Sequence, residues 1–225
     1  DAFSVISDLA DFRKENLLVT CAMGKTLGIS ALLFAQGHYR IAVEEGTPIN
    51  LTGPEVHKRF FSTVDAPFES FSNASHQFTV NSLVHELLSS EEQVLDRARE
   101  IVAFSYLSSI KTNSYQEGIQ ETEQGGRVMA EKSAESLEAL KAQLGDALIE
   151  LYPQGSPIVR CYLAHVGSDI VGYFVNPPGV PNNMLGAKAT EKCLAALELY
   201  RALKIPVISM LDCPGGDPRK RESDQ

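Results

Sequence analysis

Two stretches of this chain repeat one grammar: an apolar strand, a glycine-bearing turn, a helix and a second strand. In the first, "LLVTCAM" runs into the turn "GKTLG", the helix "ISALLFAQG" and the strand "YRIAVEEG" (residues 17–46). In the second, the strand pair "IVRCYLAHVGSDIVGYFVN" precedes the loop "PPGVPNNMLG". The helix "AKATEKCLAALELYRALK" and the buried strand "IPVISMLD" follow (residues 158–212). Strands that alternate with helices imply an α/β fold. The units share architecture without a repeat of identity.

This division places one domain near residues 1–108 and another at 155–225. Residues 109–154 join them as a polar linker and a long helix. The helix is expected from Leu137, Leu140, Leu144, Leu148 and Leu151, which recur at three- and four-residue steps. Residues 2–14 read as an amphipathic helix, and Pro54 opens another after Thr52 and Gly53. Residues 62–82 read as loop-rich, and Ser89 with Glu92 has the spacing of a capping box.

At 225 residues with 44% apolar content, the chain can bury a sizeable core. A net charge of −9 argues against general binding to nucleic acid. No apolar run reaches the ~20 residues of a membrane span, so membrane insertion is not expected. Cys21, Cys161, Cys193 and Cys213 form no CxxC pair and sit in apolar surroundings. They read as reduced thiols of a cytoplasmic protein, and no metal site is expected. Both ends read as cut from a longer pattern.

"GKT" at Gly24, Lys25 and Thr26 is the tail of a phosphate-binding loop, but Val19 stands where that loop needs its first glycine. A nucleotide site is therefore set aside. The glycines have another use. A strand-to-helix turn leaves backbone N–H groups unpaired at the positive end of the helix dipole. Such fixed donors stabilise an oxyanion. On the residues alone, ordinary structural turns remain the simpler reading of "GKTLGIS" and "PNNMLG".

"GKTLGISALLFAQGHYRIA" resembles the crotonase-superfamily stretch in which a glycine turn opens a helix that runs into "RIA". "INLTGPEVHKRF", "TVNSLVHELLSSEEQVLDRAREIVAFSYL" and "MLGAKATEKCLAALELYRALKIPVISMLDCPGG" resemble successive segments of a narrower family. That family is the carboxyltransferase (beta) component of biotin-dependent acyl-CoA carboxylases and decarboxylases. The ordered set covers about 150 of the 225 residues.

The resemblance implies two crotonase-like domains of the ββα-spiral type, both incomplete in this chain. It implies carboxyl transfer between carboxybiotin and an acyl-CoA. Backbone oxyanion holes fall on Gly28 and Ile29 and on Asn183 and Met184, for the thioester enolate and the biotin ureido oxygen. It also implies substrate-binding roles for Gly24, Thr52, Gly53 and Pro54 and, in the D-x-P-G turn, for Pro214 and Gly215. Biotin would arrive on a partner, so a biotin carboxyl carrier, a biotin carboxylase subunit and a homo- or hetero-oligomer are expected. Two alternatives stay open: a biotin-dependent decarboxylase subunit, and a non-catalytic assembly subunit. Departures from the family at Ile29, Asn183 and Arg219 motivate the last.

His38, His57, His76, His85 and His165 are scattered, and structural or solvent roles are expected for them rather than acid–base catalysis. Adjacent Glu44 and Glu45 face opposite sides of a strand and make a poor acid–base pair. Arg219, Lys220 and Arg221 read as solvated terminal charge.

Overall fold

The computed structural model describes residues 2–60, 67–106, 141–142, 144–166, 169–177, 184–210 and 213. The chain divides into two compact units, Asp1–Phe104 and Ser105–Gln225.

The first unit opens with helix α1 (Ala2–Glu15), as the amphipathic pattern predicts. Strand β1 (Val19–Ala22), a two-residue strand β2 (Thr26–Leu27), helix α2 (Ile29–Ala35) and strand β3 (Tyr39–Val43) follow. β1 and β3 pair in parallel, with Val19 opposite Tyr39, so α2 is a crossover helix. Strand β5 (Glu86–Leu88) extends that sheet in parallel on the far side of β3. β2 pairs in parallel with β4 (Ile49–Asn50) in a separate two-stranded sheet. Ala22, Ala31, Phe34, Ala42, Ile49 and Leu87 share one core cluster, so small residues let α2 approach the sheet closely.

Helix α3 (Pro54–Phe60) starts at the expected proline. The expected loop beyond it instead contains helices α4 (Phe68–Ser72) and α5 (Ala74–Thr79). Asn73 is the reason. Its Oδ1 accepts from the His76 N–H at 2.7 Å, and its Nδ2 donates to the Glu69 carbonyl at 2.6 Å. One polar side chain thus ends α4 and caps α5. Helix α6 (Glu91–Tyr106) is capped one residue later than expected. Ser90 Oγ accepts from the Gln93 N–H, and the Gln93 side chain reaches back to Ser89.

An ion pair locks α6 to the sheet. Glu86 on β5 accepts from the Tyr39 hydroxyl at 2.6 Å and from Arg97 Nε at 3.0 Å. The side chains of Arg97 and Glu86 are only 13% and 7% exposed, so this pair is held away from water.

In the second unit, strand β6 (Leu148–Leu151) pairs antiparallel with β7 (Arg160–Val166), and β7 pairs antiparallel with β8 (Asp169–Val175). β8 leads to helix α7 (Ala187–Leu203), which returns the chain to strand β9 (Val207–Met210), parallel to β8. β9 ends the sheet order, and its Val207, Ile208 and Ser209 are exposed, which corrects the buried strand expected there. The β-α-β grammar therefore recurs with a crossover helix of 17 residues in place of 7. β6 corrects the expected long helix. Leu148 and Leu151 are in a strand, preceded by a tight turn at Gly145–Ala147 in which Gly145 has φ +48°. Leu148 and Leu151, three apart, fit one face of a helix; the ladder bonds to β7 and the burial of Ile149 and Leu151, two apart, give the period of a strand. The polar segment 109–127 lies outside the described residues.

Tyr200 of α7 binds the sheet from above: its hydroxyl donates toward the Tyr162 and Tyr173 carbonyls at 2.9 and 3.1 Å. Gly172 makes room for that ring, because a Cβ there would stand 2.8 Å from it.

Two stability outcomes follow. Replacing Arg97 with Met should cost about 3–5 kcal/mol, because it strands the Glu86 carboxylate. Adding Glu86→Gln should return part of that loss, as read by denaturant titration. Gly172→Ala should cost about 1–3 kcal/mol by overpacking against Tyr200, read as a lower denaturation midpoint with an unchanged slope.

Candidate functional site

The first glycine turn is built at the carboxyl end of β1. Thr26 Oγ1 donates to the Gly24 carbonyl at 3.0 Å, and the Thr26 N–H to the Pro48 carbonyl at 2.9 Å. Val19 lies inside β1, so no wide phosphate cradle precedes Gly24.

Gly28 is the N-cap of α2, with φ +63° and ψ −124°. That region is open to glycine and strained for side-chain-bearing residues. The Gly28 N–H donates to the Asn50 carbonyl at 2.9 Å, while its own carbonyl accepts from Ala31 and Leu32. The next two N–H groups, on Ile29 and Ser30, meet no acceptor among the described residues. They are the open donors of this turn.

The β2–β4 ladder brings the second expected segment alongside. Leu27 lies opposite Asn50, a Cβ on Gly28 would stand 3.9 Å from the Leu51 carbonyl, and one on Gly53 would stand 4.0 Å from Leu27 Cδ1. Gly24, Gly28, Ile29, Thr52, Gly53 and Pro54 are thus gathered around one turn-and-ladder element. Met23, Ile29, Leu32 and Leu51 are exposed apolar side chains on that element or the helix it opens.

In the second unit, Met184 lies two residues before Gly186, the N-cap of α7. Gly186 provides no side-chain cap, and its carbonyl accepts from the Thr190 N–H at 3.0 Å. Asn183, Pro214, Gly215 and Arg219 to Arg221 lie outside the described residues.

The histidines are tied into the scaffold. His38 is buried and its Nδ1 accepts from the Leu18 N–H at 3.1 Å. His57 rests on the Phe71 ring with centroids 4.7 Å apart. His85 is buried against Arg40, whose Nη2 faces its Nε2. Burial, with the Arg40 charge added, pushes the His85 pKa well below its ordinary value. Arg40 in turn donates to the Leu83 and Gly37 carbonyls, so a neutral His85 completes a clamp across the sheet. Burial raises the Cys21, Cys161 and Cys193 pKa values, which keeps those thiols protonated rather than nucleophilic. Among the described residues no group of acids, histidines and cysteines could hold a metal ion. No described helix is long and apolar enough to cross a membrane.

Two participants escaped sequence reasoning. The Asn50 carbonyl and the Ser30 N–H act through backbone, which carries no residue-type signal. Lys192 is buried on the inner stripe of α7 with Ala189, Ala196 and Leu199. Its place on an apolar stripe was a visible signal.

The carboxyl transferase domain family matches residues 13–224. The chain belongs to that family. Among curated proteins none matches it. Similar solved structures include transcarboxylase 12S with methylmalonyl-coenzyme A and methylmalonic acid bound, at 15% identity and a TM-score of 0.70. That likeness covers 96% of this chain and 44% of that one. Transcarboxylase 12S with hydrolysed methylmalonyl-coenzyme A bound gives 14% identity and a TM-score of 0.73, over 99% of this chain and 44% of that one. A single-chain, multi-domain long-chain acyl-CoA carboxylase gives 19% identity and 0.69, over 94% of this chain and 21% of that one. The fold is thus the expected α/β fold of crotonase-like carboxyltransferases, and the chain spans less than half the length of these relatives.

The His85 clamp predicts a pH dependence. The ring is neutral when folded, whereas the unfolded chain takes up a proton below about pH 6.5. Stability is therefore full above that value and falls as pH drops toward the depressed folded pKa. The slope reaches at most about 1.4 kcal/mol per pH unit. His85→Gln, which keeps an acceptor for Arg40, should flatten the slope of unfolding free energy against pH.

Proposed function

We propose that the protein containing this chain transfers a carboxyl group between carboxybiotin and an acyl-CoA. The observation that carries this reading is the turn at Gly28, which fixes two N–H donors, on Ile29 and Ser30, that meet no acceptor among the described residues. Family membership supplies the reaction class.

The chemistry needs an oxyanion stabiliser more than a nucleophile. Removing or adding a carboxyl group α to a thioester develops negative charge on the thioester oxygen. Donors already oriented by a helix start hold that charge without reorganising. Gly28 shapes the turn and Ile29 contributes through its backbone, so an isoleucine side chain in place of the family's glycine does not remove the donor. Exposed Met23, Leu32 and Leu51 offer apolar surface for the non-reacting part of the ligand.

A second donor set is assigned to Asn183 and Met184, before the uncapped start of α7. A biotin ureido oxygen is a neutral acceptor that gains negative charge as the carboxyl group leaves, which suits backbone donors of this kind. Bound biotin supplies the nitrogen that carries the carboxyl group. This chain orients and polarises; no side-chain acid or base is required. Biotin would come on a carrier partner, with a biotin carboxylase recharging it.

The test is turnover of the full protein with a biotinylated carrier and a panel of acyl-CoAs, in both directions. Gly28→Val places a β-branched residue at φ +63°. It should cost on the order of 10²–10³ in rate, the loss seen when one oxyanion donor is removed. Normal turnover by Gly28→Val would overturn the reading.

A further inference from the structure

Asn50 is tied to the Gly28 turn and still has a donor to give. It ends β4, opposite Leu27. Its backbone carbonyl accepts from the Gly28 N–H at 2.9 Å. Its side-chain Oδ1 accepts from the Leu51 N–H at 2.8 Å. That second bond anchors the side-chain amide. It also assigns the two ends of the amide, because a backbone N–H needs an oxygen opposite it. Nδ2, with two N–H donors, meets no acceptor among the described residues.

Alternation along β4 puts this side chain on the open side of the ladder. Ile49 is fully buried opposite Thr26, itself buried. Asn50 and its partner Leu27 are only half-buried. Leu51 follows at once and is 61% exposed. A neutral, anchored amide therefore borders the turn with its donor end unbonded. The bond to Gly28 does not explain the residue type, since any amino acid at position 50 supplies a main-chain carbonyl.

We propose that Asn50 is a catalytic residue of the carboxyl-transfer site, with Nδ2 donating to the thioester oxygen as that oxygen takes on enolate charge. The inference rests on the proposed function. Side-chain amides act as oxyanion donors when they are oriented before the charge develops. Here the Leu51 N–H anchors the amide, and the main-chain bond ties the residue to the turn that presents Ile29 and Ser30. The donor is neutral, so it stabilises the charge without giving up its proton. No covalent bond to Asn50 forms or breaks.

Asn50→Asp in the full protein is the informative variant. It keeps an oxygen for the Leu51 N–H and the main-chain bond to Gly28, and it puts a carboxylate oxygen where Nδ2 stood. With a biotinylated carrier and an acyl-CoA, kcat should fall on the order of 10²–10³, while KM for the carrier stays unchanged. The rate relative to the native protein should climb as pH falls, by up to about tenfold per unit, because a protonated carboxyl regains an O–H donor. An asparagine that only shapes the turn gives no such rescue. Where the variant misfolds, the side-chain amide signals of Asn50 in the ¹⁵N-labelled native protein decide. An enolate-mimicking CoA analogue should move an Nδ2 proton downfield, and a thioether analogue should not. Turnover of Asn50→Asp within about threefold of native at every pH would overturn this inference and leave the proposed function standing. So would an Nδ2 signal unmoved by an enolate mimic that shifts Ile29 and Ser30. Absence of native turnover with every acyl-CoA tried would overturn both.

Discussion

Two inter-strand hydrogen bonds hold the candidate site in shape. Thr26 and Gly28 donate to the carbonyls of Pro48 and Asn50, each at 2.9 Å. This short parallel ladder fixes the direction in which the chain leaves β2. Because Gly28 can adopt φ +63°, the chain turns at once into α2. The helix then begins with Ile29 and Ser30, whose N–H groups meet no acceptor among the described residues. An oxyanion donor is useful only if it is oriented before the charge develops. Here the orientation comes from bonds made by the neighbouring residue.

The ladder rests on a sheet stiffened by buried polar contacts. Tyr39 and Arg97 share Glu86, and Arg40 with neutral His85 spans β3 to the residue preceding β5. These groups join strands that are distant in sequence, and the low dielectric around them strengthens the hydrogen bonds they make. The second unit uses a different device. A single tyrosine, Tyr200, reaches two sheet carbonyls across a position kept empty by Gly172.

Much of this architecture was legible in the sequence. The apolar runs at 19–22, 39–43 and 207–210 and the helix between Ala187 and Leu203 stand where their periodicity puts them. Local signals failed where two readings shared the same residues. Leu148 and Leu151 share a helical spacing, but pairing with β7 makes a strand that buries Ile149 with Leu151. Residues 62–82 read as loop-rich, yet Asn73 there ends one helix and caps the next. The glycine at 28 was readable as a special backbone position. Its occupied N–H was not, because the acceptor lies 22 residues away and is a main-chain carbonyl.

The central claim is that this turn presents open backbone donors to a thioester oxygen. Amide chemical shifts of the ¹⁵N-labelled protein, titrated with a non-reactive acyl-CoA thioether and with an enolate-mimicking analogue, test it directly. The account predicts that the enolate mimic moves the Ile29 and Ser30 amide protons downfield far more than the thioether does. Gly28, already bonded to Asn50, should shift little. Saturable binding that leaves Ile29 and Ser30 unmoved would contradict it.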